Sequence, residues 1–164
     1  EAAGIEQFEY FKTKQINYQY NLLADESNRF KLFDISYSEG AFIAKEGLKS
    51  SFLMIELDQK LPQFILDKDY LLVGLYEARG YKDINFKEAP DFSKRFFLTG
   101  KDRKEIKKWF TSEIIFFFES HSYFHVESNE NILLIKGRNR LSSIEEIKKM
   151  LAFGTELTQL LNKQ

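Results

Sequence analysis

The chain has 164 residues, 43% apolar and 30% charged, a balance that lets one domain bury a core without covalent staples and excludes an intrinsically disordered chain. Its 24 basic and 25 acidic residues leave a formal charge of −1, which excludes the broad positive field of a nucleic-acid-binding domain, so no nucleic-acid partner is expected. The absence of Cys excludes disulfides and thiolate metal sites.

No apolar run approaches the roughly 20 residues that a spanning helix needs, so the chain reads as soluble. It begins at Glu1 without Met, which implies a removed leader, an excised membrane anchor or a cleaved tag. The expectation is a single domain over residues 1–164, cut from a longer or anchored protein, with the cytoplasmic side of a membrane as a candidate location. Two Pro and eight Gly supply no linker that would divide it.

From the N-terminus, Ile16, Tyr18 and Tyr20 alternate with Asn17 and Gln19, the period of a half-buried strand predicted to run from Phe8 to Tyr20. The polar run Asp25 to Asn28 makes a turn. Phe33, Ile35 and Tyr37 then share one face of a second strand, with Asp34 and Ser36 on the other, which completes an antiparallel hairpin. After a loop from Ser38 to Lys49, the segment Ser51 to Asp58 is apolar on both faces and is predicted as a central strand. Asp69 is placed to cap a short helix through Glu77 that stops at Gly80. Ile84 to Phe86 reads as a short edge strand, and Phe92 to Leu98 as another that ends at Gly100.

The period then changes. Asp102 with Glu105 opens a helix on which Ile106, Trp109, Phe110, Ile114, Phe117 and Phe118 form one apolar stripe, with Thr111 placed to cap a second helical segment. Tyr123 to Val126 and Ile132 to Ile135 flank the polar residues Ser128 to Asn131 as a second hairpin. Ser142 with Glu145 opens the last helix, whose expected buried face is Ile144, Ile147, Leu151, Leu157 and Leu161. Together these elements predict an α+β fold, an antiparallel sheet with two or three helices packed against it.

Residues that carry chemistry are sparse. His121 and His125 stand four apart, a metal-ligand spacing on a helix, with Glu119 or Glu127 nearby. Strand alternation instead turns Phe124 and Val126 inward and His125 and Glu127 outward, toward solvent, so no metal or other cofactor is expected. Asp34, close to Tyr37, is a candidate perturbed carboxylate, yet it lacks a partner for acid–base work in the sequence, and no catalytic residue is assigned.

Two basic runs stand out. Lys94, Arg95, Lys101, Arg103, Lys104, Lys107 and Lys108 surround Trp109 and could meet anionic lipid, although Asp102 and Glu105 dilute them. Lys136, Gly137, Arg138, Asn139 and Arg140 lie in the loop before the last helix, where they could touch a phosphate or serve as a plain structural loop. The 17 Phe are consistent with core packing and equally with an aromatic pocket for an apolar ligand. Phe116, Phe117 and Phe118 cover most of a helical turn, so one of them must face away from the core. Phe116, Lys104, Lys107 and Lys108 are therefore the candidate interaction surface.

The segments Phe33 to Tyr37, Leu61 to Phe64, Pro90 to Leu98 and Trp109 to Glu113, with the closing hairpin and helix, resemble a family of bacterial proteins of unknown function whose soluble domain often follows membrane-spanning segments. Relatives often carry Pro where this chain has Ser112, in keeping with a helix start after Thr111. The resemblance implies a membrane-tethered context and carries no site residues. The expected function is a non-enzymatic module that binds a protein partner, associates with itself or lies near a membrane. The alternative is a small-molecule or lipid-binding domain with a Phe-lined pocket.

Overall fold

The computed structural model describes residues 4–39, 47–68 and 70–163. Most of the loop expected between Ser38 and Lys49, and the expected cap Asp69, lie outside the described residues. Among the described residues seven strands form one antiparallel sheet: β1 (Lys14–Ala24), β2 (Phe30–Glu39), β3 (Leu48–Glu56), β4 (Phe64–Asp67), β5 (Phe97–Gly100), β6 (His125–Asn129) and β7 (Ile132–Lys136). Their order is β1-β2-β3-β7-β6-β4-β5, so β3 is flanked on both sides, as its two-sided apolarity requires. Among the described residues five helices accompany them: α1 (Tyr70–Ala78), α2 (Pro90–Arg95), α3 (Arg103–Trp109), α4 (Ser112–Ser120) and α5 (Ile144–Leu161). The fold is α+β, with more helices among the described residues than the two or three expected, because α2 is too short to show a period and the helix opened at Asp102 ends at Trp109, before Thr111 starts α4.

The alternation of each strand sorts its side chains between two cores. Leu53, Ile55, Phe64, Leu66, Leu98, Val126, Leu133 and Ile135 meet Phe92, Ile106, Phe110, Phe117, Met150 and Phe153 in one continuous cluster on the helical side. On the other face, Phe33, Ile35, Tyr37, Phe52 and Leu134 are covered by Ile5, Phe8, Tyr10 and Phe11 from two short 3-10 turns at Ile5–Gln7 and Glu9–Phe11. Further along that face, Ile65 and Phe97 pack against Tyr76 of α1. Helix α5 comes close enough to the sheet that a Cβ on Gly154 would meet Ile55 Cδ1 at 2.7 Å and Leu53 Cδ2 at 2.9 Å.

Several boundaries differ from the sequence reading, each for a local reason. Phe8 to Phe11 is not strand. Its rings and backbone fold into 3-10 turns that cap the sheet, and β1 starts at Lys14. Pro90 takes the first position of α2, so Asp91 to Arg95 is helical and only Phe97 to Gly100 pairs as strand. Ile84 to Phe86 is irregular, though Ile84 N donates to Leu98 O at 2.6 Å. Helix α1 is followed, as expected, by Gly80 with φ +87. The last helix is capped one residue later than read: Ser143 and Glu146 form the reciprocal capping box. Ile144, in the first turn of the helix, is 72% exposed, and Met150, Phe153 and Gly154 join Leu157 and Leu161 on the buried face.

Candidate functional site

The second face of the sheet carries a buried row of charge. Strand register sets Phe52 opposite Lys136 and Lys136 opposite His125, while Asp67 faces Phe97 across β4 and β5. Lys136, His125, Asp67 and Glu127 are each at most 3% exposed. Parity alone places His125 and Glu127 opposite the inward Val126, as read from the sequence. They do not reach solvent, because the 3-10 turn at Glu9–Phe11 lies over them.

His125 bridges two carboxylates. Its Nδ1 is 2.8 Å from Asp67 Oδ2 and its Nε2 is 2.9 Å from Glu127 Oε1. Burial by itself would lower the affinity of the ring for its proton, but the charges and hydrogen bonds of Asp67 and Glu127 outweigh burial and raise its pKa to about 9. The ring is thus an imidazolium donating from both nitrogens at neutral pH. Glu127 also accepts the backbone N–H of Glu9 and of Tyr10, each at 2.8 Å, which anchors the N-terminal segment to the sheet. Asp67 accepts from the Tyr123 hydroxyl and from Lys68 N at 2.7 Å.

A cleft of about 520 Å³ opens over this row, where β4 ends, β6 begins and β7 runs into α5. Asp67 and His125 contribute to its floor, and Lys68, Tyr123, Arg138 and Lys149 to its walls. The run from Lys136 to Asn139 supplies one whole side. Lys136 is buried, donating to Asn139 Oδ1 at 2.5 Å with its ammonium 5.0 Å from the Tyr10 ring centroid. The Lys68 ammonium lies 4.4 Å from the centroid of Tyr123. Glu146, the other acid of the cleft, is held by Ser143 N and by both arms of Arg140, which depress its pKa to about 2. Four cations therefore surround the cleft, while its two carboxylates are already bound by donors of the protein itself.

The remaining sequence candidates do not join this cleft. Asp34 accepts from Asn21 Nδ2 at 2.9 Å and Ser51 Oγ at 2.6 Å. Tyr37 is on the opposite face of β2, its hydroxyl 2.8 Å from that of Tyr10. His121 lies against Phe117 and Phe153 with Nε2 2.9 Å from Glu156, away from His125. Among the described residues no group of three or more His, Asp or Glu is arranged to hold a metal ion. Phe116 stands 69% exposed on α4, whereas Phe117 and Phe118 are buried. Lys104 is exposed, Lys107 donates to Asn85 O at 3.0 Å, and Lys108 pairs with Glu105 at 2.5 Å. Trp109 packs, partly buried, against the main core.

The sequence does not announce Asp67, Glu9 or the cleft, and it offers Glu127 only as an outward-facing neighbour of the histidines. The available signal was the basic run from Lys136 to Arg140, set directly after a buried strand. No helix is long and apolar enough to cross a membrane among the described residues. The chain matches no protein-family profile, no curated protein and no solved structure.

Proposed function

We propose that the domain is a non-enzymatic binding module whose cleft between β6, β7 and the start of α5 takes a small anionic molecule. The observation that carries this reading is the pairing of a cation-rich wall with a floor whose ionisable groups are engaged. Lys68, Arg138 and Lys149 edge a hollow of about 520 Å³, within the roughly 300–1,000 Å³ typical of small-ligand sites. His125 has both ring nitrogens committed to carboxylates, so it has no lone pair with which to take a proton from a ligand. The rings of Tyr123 and Phe124 offer an apolar wall for the body of the ligand. The phenylalanines themselves fill the core, which favours a polar ligand over the apolar one that a Phe-lined pocket would select.

Calorimetry with a panel of small carboxylates and phosphate esters, at constant ionic strength, tests this. Wild type is expected to bind at least one class, and Arg138→Glu with Lys149→Glu to weaken that binding by about tenfold or more. Equal affinity in the variant would refute the assignment.

A second reading, self-association, is favoured by the exposed Phe116 ring beside a hollow formed with Pro90, Phe110 and Ile115. Sedimentation is expected to show a concentration-dependent dimer that Phe116→Ser abolishes. A monomer at every concentration would remove this reading and leave the cleft untouched. The resemblance to a membrane-tethered bacterial family supports a position near a bilayer, with Lys104 at the exposed surface.

A further inference from the structure

A separate hollow of about 480 Å³ lies at the other end of the buried polar row, and it gathers Lys12, Arg79, Lys82, Lys101 and Arg103 around a single acid, Glu9. These five cations come from the turn before β1, the end of α1, the loop after it, the end of β5 and the start of α3. Lys101 and Arg103 share one basic run and Arg79 and Lys82 one segment; the fold brings these two pairs together with Lys12. In a chain with a formal charge of −1, five positive groups facing one space form a local excess that repels itself unless an anion is present.

Glu9 does not meet that need. It is buried, with Lys12 on Oε1 and Arg79 Nη2 2.5 Å from Oε2, and these partners together with Tyr81 depress its pKa against the opposing effect of burial. Its one negative charge is shared between two of the five cations. Among the described residues, Lys82 and Lys101 have no acidic partner. Arg103 is held in place rather than swinging free: its guanidinium donates to Lys82 O and Asp83 O, each at 3.0 Å, which uses two of its five N–H groups. A fixed guanidinium with surrounding ammonium groups suits tetrahedral oxygens that point in several directions at once.

We propose that this hollow binds a phosphate monoester dianion, distinct from the ligand of the cleft near His125. The same chemistry is presented by a soluble phosphate ester and by the headgroup of phosphatidic acid. Lys101 and Arg103 belong to the basic run that the sequence marks for lipid contact, and the fold directs only part of that run into this site.

The test is a ¹H–¹⁵N correlation titration with inorganic phosphate, with sodium chloride adjusted to hold ionic strength constant. Saturable shifts are expected at the amides of residues 79–82 and 100–103. The double substitution Lys82→Glu, Lys101→Glu is expected to weaken this response about tenfold or more, with an unchanged spectrum elsewhere showing that it folds. Arg138→Glu is expected to leave it intact, which separates this site from the cleft. Co-sedimentation of wild type, and not of the double variant, with phosphatidylcholine vesicles containing phosphatidic acid assigns the site to a membrane headgroup. Phosphate binding without co-sedimentation assigns it to a soluble ester. Shifts spread over every basic loop, or equal binding by the double variant, would overturn the proposal.

Discussion

His125→Leu is expected to lower the unfolding free energy by about 3–5 kcal/mol, the range for breaking a buried ion pair from one side. The substitution keeps a comparable volume, but it leaves Asp67 and Glu127 buried with no cation between them. In a chain of this length that corresponds to a fall in Tm of roughly 10 °C or more. Urea unfolding at neutral pH measures it, and a loss below about 1 kcal/mol would show that the bridge contributes little.

The same ring sets a pH dependence. Its native pKa, raised to about 9, exceeds that of the unfolded chain, so the native state binds the proton more tightly. The contribution is therefore complete below the unfolded value near 6.5, declines as pH climbs, and is lost beyond about 9. Integrated over that window it amounts to about 3 kcal/mol. Wild-type stability should fall between pH 7 and 9, and His125→Leu should flatten that part of the profile.

Gly100→Ala is expected to cost about 2–4 kcal/mol, because overpacking here meets backbone rather than the flexible end of a side chain. A Cβ at this position would be driven into the Gln63 carbonyl and would lie 2.5 Å from Ile106 Cδ1. Gly100 pairs with Phe64, so retreat would pull the ends of β4 and β5 apart and shift α3, which packs beneath them. Chemical denaturation is again the measurement. A change within about 0.5 kcal/mol would mean that these strand ends separate at little cost, and that the phosphate hollow beside them is not rigid.

The parts of the fold that strand parity controls were legible. Leu53, Ile55 and Leu57 fall on the helical side, and Phe52 with Met54 on the other, as alternation requires. The three consecutive rings on α4 divide as helical spacing demands, with Phe116 outside. Boundaries that depend on one turn of chain were less legible: Pro90 starts a helix too short to show a period, and two serines compete for the cap of α5, which Ser143 takes.

The site lay beyond local pattern. Parity turned His125 and Glu127 away from the main core correctly, but what covers that face comes from Glu9 and Tyr10, more than a hundred residues earlier. A short strand such as Phe64–Asp67 gives no sign that its last residue will meet an imidazole from β6. Of the five cations of the phosphate hollow only Lys101 and Arg103 share a visible basic run; Lys12, Arg79 and Lys82 are brought to them by the fold.

The binding account rests on His125 being a doubly bonded imidazolium, a part of the floor and not a base. Long-range ¹H–¹⁵N correlation of its ring from pH 5 to 10 measures this directly. Both nitrogens are expected to carry protons through neutral pH, with a titration midpoint at about 9. A neutral ring at pH 7 in a single tautomer, with its midpoint near the ordinary value of about 6.5, would contradict the account and place a proton acceptor in the cleft.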